Sequence, residues 1–271
     1  MDSDGEDDKL LRAAYEGQPH LLRRAIADGA DVNVENEHGY TALHWLCNNS
    51  GDDDELRIAC ISALLDAGAD VNRLGPNMDA PNPQYTPLLD VVYLCSSNPG
   101  SATADRAIID MLVRAGADPN IASTDGLTPL HMAAIWGVWH IIPVLLAAGA
   151  EKDAIWPRQE LDARGRALGT TTLETPFDSA IRSDHRHAPD RFRLRVFVAL
   201  LRAGARRPRV PWTDRRTLPP YLDAVARAGG YAQYEKAHRT RLAAIFLPKF
   251  PGLPAEVVHH IVSIWADCGG H

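Results

Sequence analysis

Short apolar runs separated by polar turns fill the first three quarters of the chain, and they recur in pairs. The first member of a pair is headed by Thr: Thr41-Ala42-Leu43-His44, Thr86-Pro87-Leu88-Leu89, Thr128-Pro129-Leu130-His131 and Thr175-Pro176-Phe177-Asp178. The second member is Leu64-Leu65, Met111-Leu112-Val113, Val144-Leu145-Leu146 or Ala199-Leu200-Leu201, and each leads into a Gly turn. That turn reads Ala27-Asp28-Gly29-Ala30-Asp31-Val32-Asn33, then Asp66-Ala67-Gly68-Ala69-Asp70-Val71-Asn72, then Arg114-Ala115-Gly116-Ala117-Asp118-Pro119-Asn120. Weaker copies close at Asp153 and Ala205. Thr caps orphan amides at a helix start, Pro at the first helical position loses no bond, and Gly closes a helix in the left-handed conformation. Each unit therefore predicts a turn, a short helix, a second turn, a longer helix and a Gly-ended turn.

Gly-x-Thr-Pro-Leu-His, as in Gly126 to His131, with Gly-Ala-Asp-Val-Asn, as in Gly68 to Asn72, resembles the ankyrin repeat, whose period is about 33 residues. The resemblance implies an all-α solenoid of stacked helix-turn-helix units with finger turns. Its expected extent is residues 7–208, in units of about 7–33, 34–72, 73–120, 121–153 and 154–208, after an acidic disordered tail at 1–6. Spacings between the Gly turns of 39, 48, 33 and 55 residues leave the fourth unit free of insertions. The extra residues fall at Asn48–Asp54, Leu74–Gln84, Ser96–Ala104, Ile155–Thr172 and Ser183–Asp190, as loops a solenoid tolerates. The polar first unit suits a cap that faces water on one side.

Residues 209–271 predict a basic linker and a small module of three helices: one opened by Thr217-Leu218-Pro219-Pro220, one over about Tyr231 to Leu247, and a last from Leu253. Leu253-Pro254-Ala255-Glu256-Val257-Val258-His259-His260-Ile261 is similar to the Leu-Pro-x-Glu start of an F-box, which implies a ubiquitin-ligase subunit as a partner.

Charge divides the chain in the same place. Residues 1–181 hold 12 basic and 28 acidic side chains and residues 182–271 hold 16 and 7, so a net charge of −7 hides −16 and +9. Arg206, Arg207, Arg209, Arg215 and Arg216 with Trp212 raise nucleic acid as a ligand, and the acidic repeats speak against it. No apolar stretch approaches the roughly 20 residues of a membrane span. Met1 to Asp8 is acidic rather than a signal sequence, so a cytoplasmic monomer is expected, with the nucleus open as well.

Chemistry finds little support. Cys47, Cys60, Cys95 and Cys268 lie among apolar residues, where a thiol acts as a small hydrophobe. His185 and His187 sit beside arginines, and the adjacent His259 and His260 point about 100° apart on a helix, so no metal is expected. No nucleophile, base and oxyanion set can be assembled; the chain is read as no enzyme, with no cofactor.

The resemblance instead implies protein binding on a concave surface of fingers and short inner helices. It assigns the contacts to Glu35, Glu37, His38 and Tyr40 on one finger and Ala122, Thr124, Asp125 and Leu127 on another. On the inner helices it assigns Asn48, Asn49, Tyr93, Leu94, Ile135, Trp136 and Arg182. Trp136 is read as an exposed aromatic anchor and Trp139 as core. His44 and His131 are implied to tie one repeat to the next, and Asn72 and Asn120 fall where ankyrin asparagines are hydroxylated.

Overall fold

Thr at the head and Gly at the tail both delimit helices in the computed structural model, which describes residues 3–49, 53–77, 80–97, 102–161, 167–182, 190–206, 227–228 and 231–246. The helices are α1 (Ser3–Tyr15), α2 (Pro19–Ala27), α3 (Ala42–Asn48), α4 (Asp54–Asp66), α5 (Pro87–Ser97) and α6 (Ala102–Arg114). They continue as α7 (Pro129–Trp136), α8 (Ile142–Ala147), α9 (Pro176–Arg182), α10 (Asp190–Arg202) and α11 (Tyr231–Phe246). The hydroxyls of Thr41, Thr86, Thr128 and Thr175 each accept the N–H three residues on, at 3.2–3.4 Å. At the other end the N–H of Ala30 reaches back to Ala25 O and that of Gly29 to Ile26 O. The pattern repeats at Gly68, Gly116, Gly149 and Gly204. This closure needs a positive φ at its Gly, here 74–102°, and buries the following Ala against the helix end.

Helices of six to eight residues such as α3, α7, α8 and α9 are too short to persist alone; stacking holds them. The first helices α1, α3, α5, α7 and α9 lie side by side in one row, and α2, α4, α6 and α8 in a second. Between the rows Leu10, Leu22, Leu43, Ile61, Leu64, Leu89, Ile108, Leu112, Leu130 and Phe177 are fully buried, each worth about 1.5–3 kcal/mol relative to exposure. The expected solenoid is the observed one.

Hydrogen bonds that step from unit to unit fix its register. Asp31 N–H donates to Asp7 Oδ1, Asp70 N–H to Asn33 Oδ1, Asp118 N–H to Asn72 Oδ1, Glu151 N–H to Asn120 Oδ1 and Arg206 N–H to Asp153 Oδ1, all at 2.7–2.8 Å. Asn72 and Asn120 also donate through Nδ2 to Gly116 O and Gly149 O. His44 and His131 form a second tie, each taking a Thr hydroxyl on Nδ1 and donating Nε2–H to Arg73 O or Glu174 O at 3.0–3.1 Å. Burial holds both imidazoles neutral, His131 down to about 4.

Three expectations change. The insertions at 74–84 and 155–172 are not loops but antiparallel hairpins, β1 (Gly75–Asn77) with β2 (Ala80–Tyr85) and β3 (Trp156–Leu161) with β4 (Ala167–Glu174). The Thr-rich run of β4 has high strand propensity, which the reading by insertion length ignored. Helix α1 starts at Ser3, inside the stretch expected to be disordered, where acidic residues favour a helix N-terminus. Sequence reading also missed a buried ion pair: Arg57 on α4, 3% exposed, donates to Leu46 O, Cys47 O and Asp105 Oδ1 on α6.

The chain divides into two compact units, Met1–Ala199 with Arg206–Pro208, and Leu200–Ala205 with Arg209–His271. In the second, α11 matches the helix expected from Tyr231; its Glu235 pairs with Arg202 and Arg239 at 3.1 and 2.9 Å. The expected helix starts at Thr217 and Leu253, along with Arg207, Arg209, Trp212, Arg215, Arg216, Cys268, His185, His187, His259 and His260, lie outside the described residues.

Asp90 on α5 is buried, with neither carboxylate oxygen bonded among the described residues, and burial pushes its carboxyl well above the usual range. The unfolded chain releases this proton near pH 4 and the folded chain keeps it, so stability falls as pH rises from there, by about 1.4 kcal/mol per pH unit until the folded group titrates. Asp90→Asn removes this dependence. Urea midpoints at pH 5 and pH 8 should fall more for the parent than for the variant; parallel changes would refute the assignment.

Candidate protein-binding surface

The finger at residues 34–41 closes on a bridge between Glu35 and Thr41, with Asn36 Oδ1 accepting the N–H groups of His38 and Tyr40 at 3.0 Å. Beside it stands the β1–β2 hairpin, tied at its far side to the finger at 122–127: Gln84 N–H donates to Thr124 Oγ1 and Gln84 O accepts Thr124 N–H. The β3–β4 hairpin follows, with Trp156 Nε1 donating to Asp125 O at 2.9 Å. Two glycines make the close approaches possible. A Cβ on Gly75 would stand 2.8 Å from the His44 ring, and one on Gly126, at φ +86°, would stand 3.0 Å from Pro157. Short turns thus alternate with hairpins in one continuous row.

Four aromatic side chains on the inner helices reach the surface, three of them half-buried and one exposed. Tyr15 on α1, 64% exposed, lies 4.7 Å from Trp45 on α3, ring centre to ring centre. Tyr93 on α5 meets Trp136 on α7 edge to face at 6.3 Å and Tyr85 at 6.2 Å. At the end of the row Glu174, 1% exposed, accepts from Ser179 Oγ and pairs with Arg158 and Arg182 at 3.5 and 3.3 Å.

The residues assigned from sequence differ in exposure. Glu35, Glu37, His38, Thr124, Asp125 and Arg182 are exposed; Tyr40, Asn48, Asn49, Tyr93, Ala122, Ile135 and Trp136 are half-buried. Glu35 pairs with Arg73 at 2.5 Å, Glu37 lies 3.4 Å from His38, and Asp125 accepts the Ser123 hydroxyl. Leu94 and Leu127 do not belong: at 8% and 7% exposure they are core. Leu94 takes the core-facing side of α5 next to the half-buried Tyr93, and Leu127 turns inward under its finger. Trp136 is not a free-standing anchor but half of the Tyr93 pair. Trp139, read as core, is half-buried beneath the Arg195 guanidinium at 4.3 Å. Tyr15 and Trp45 were missed; Trp45 directly follows the framework His44, which could have flagged it, whereas Tyr15 lies in the unit without the Thr-headed motif.

Reactive groups are shielded. Cys47, Cys60 and Cys95 have free thiols that burial pushes upward, Cys60 to about 11, which disfavours the nucleophilic thiolate. No group of three or more His, Cys, Asp or Glu that could hold a metal occurs among the described residues, and no helix among them is long and apolar enough to cross a membrane.

The ankyrin-repeat family model matches residues 38–75 and 125–155, most of the second and fourth units. The chain carries ankyrin repeats. It is similar to tyrosine-protein kinase HTK16 of Hydra vulgaris, 30% identical over 57% of this chain and 18% of the kinase. The putative ankyrin repeat protein YahD of Escherichia coli is 25% identical over 52% of this chain and 95% of its own length. Ankyrin repeat and SOCS box protein 16 of Mus musculus is 27% identical over 52% and 36%. Because the chain spans under a fifth of the kinase, that likeness carries nothing about catalysis.

Burial separates framework from surface here. Leu94→Ala should cost about 2–5 kcal/mol, the price of an unfilled core site, whereas Thr124→Ala should stay within about 1 kcal/mol. Denaturation midpoints measure both; equal effects would place Leu94 back on the surface.

Proposed function

We propose that this chain is a protein-binding scaffold that holds its partner against the inner helices and fingers of the repeat array. The observation that carries the reading is the row of aromatic side chains on four successive inner helices, Tyr15, Trp45, Tyr93 and Trp136, on a framework whose register is hydrogen-bonded from unit to unit. Large aromatics concentrate binding energy where a surface meets a partner, and a rigid framework loses little entropy on binding. Glu35, Glu37, His38, Tyr40, Asn48, Asn49, Ala122, Thr124, Asp125, Ile135 and Arg182 border the row in this reading. The expected place of action is the cytoplasm or nucleus.

Affinity capture with the intact chain tests it, comparing the parent with a Tyr15→Ala, Trp136→Ala double variant and with Arg24→Ala on the outer row. Captured partners should weaken by tenfold or more with the double variant only. Partners retained equally by all three would place binding elsewhere.

A second reading is an adaptor that links a captured protein to a ubiquitin ligase. Similarity to an ankyrin repeat and SOCS box protein supports it, as does the Leu253-Pro254-Ala255-Glu256 start of the C-terminal segment. Full-length chain should recover a ligase subunit, and Leu253→Asp should abolish that recovery; absence of any ligase subunit from the parent's captured set would end this reading.

A further inference from the structure

We propose that Arg158 is the residue with which this surface takes an acidic side chain of its partner, the carboxylate seated side-on against Nε and Nη2; the inference deepens the scaffold reading above and rests on it. Arginines in the row of fingers and hairpins use their guanidinium edges differently. Arg73 turns its Nε–Nη2 edge to Glu35, with Oε1 at 2.9 Å from Nε and 2.5 Å from Nη2. A guanidinium edge and a carboxylate match in shape and in charge. The Arg158 side chain on β3 is as open to water as that of Arg73, 43% against 40% exposed, yet it approaches Glu174 with Nη1 alone, at 3.5 Å. Its Nε and Nη2 have no acceptor among the described residues, so the edge that Arg73 has filled stands open.

Glu174 is not placed to fill that edge. Its Oε1 also meets Arg182 Nη1 at 3.3 Å and the Thr172 hydroxyl at 3.4 Å, and its Oε2 takes the Ser179 hydroxyl at 3.1 Å. Asp125 on the neighbouring finger is engaged by the Ser123 hydroxyl. Arg158 is nevertheless held in position. It lies opposite Thr172 in the hairpin, and its guanidinium stands 5.8 Å from the centre of the Trp156 ring, within cation–π range. That ring is itself fixed, by Nε1 on Asp125 O and by an edge contact with His131. A cation placed in advance loses less side-chain freedom on meeting an anion. Through Glu174 it adjoins Ser179 and Arg182 of α9, at the end of the inner row. Charge selects the occupant. One carboxylate matches one open guanidinium edge, whereas residues 1–181, at −16, repel a ligand in proportion to its negative charge and so disfavour a doubly charged phosphate.

Peptides selected on the full chain from a random dodecapeptide display library test the assignment. The selected peptides should carry Asp or Glu, and changing that residue to Asn or Gln should weaken binding about tenfold on the parent chain. On Arg158→Gln the same change should weaken binding less than about twofold. Arg158→Lys, which keeps the charge without the fork, should recover only part of the affinity. Unmoved indole NMR signals of Trp45 and Trp136 report that both variants keep the fold. An acid whose loss matters equally on the parent and on Arg158→Gln, peptides that need no acid, or an empty selection overturns the proposal. So does tighter binding with phosphoserine in place of the acid, which would make the site one for phosphate. Failure here, with partner capture still lost in the Tyr15, Trp136 double variant, leaves the scaffold reading standing alone; if capture is unchanged as well, both fall.

Discussion

One interaction governs the repeat array: a side-chain oxygen in the turn of one unit accepts a backbone N–H from the turn of the next. It runs from Asn33 to Asp70, Asn72 to Asp118 and Asn120 to Glu151. Each bond contributes a modest amount, on the order of 1 kcal/mol. Its effect is on register, since a unit displaced along its neighbour would lose both this bond and the His tie to the finger. Because the partner is a main-chain N–H, the next unit can carry any residue there except proline. The bonds span 37, 46 and 31 residues of sequence, so insertions of very different length leave them intact. Helices too short to stand alone are positioned by this lattice, and so is the aromatic row they carry.

Sequence reasoning reached the framework through residues whose local chemistry is self-sufficient. Thr caps, Gly closures and His ties depend on a few neighbouring atoms, and they recur often enough to be seen. The hairpins were opaque for a physical reason: an insertion is defined by what it interrupts, and its own strand propensity becomes visible only when β4 is read apart from the repeat. Arg57 was hidden by its charge. Nothing near it in sequence announces that its partner is Asp105, 48 residues on, and a charged residue in a helix reads as surface until packing says otherwise.

The surface was legible by position and not by exposure. Family positions located Trp136 and Tyr93 but could not say that the two rings touch. They placed Leu94 beside Tyr93, although adjacent residues on a helix point about 100° apart and Leu94 faces the core. Tyr15 lies in the first unit, which lacks the Thr-headed motif, so no template pointed to it. Contacts between rings on different helices are the kind of information a linear pattern loses.

The oxygen that accepts the N–H is not the same group throughout. Asn supplies it at 33, 72 and 120, and Asp at 7 and 153. Asn72 and Asn120 use the amide twice, donating as well to Gly116 O and Gly149 O; a carboxylate has no hydrogen to give and would face that carbonyl with like polarity. Tandem duplication during evolution is therefore not equivalent at every unit. Copying an Asn-bearing module inserts another compatible link, whereas copying one that carries Asp7 or Asp153 into the middle introduces electrostatic conflict, so lineages lengthening this array would be expected to draw on its interior.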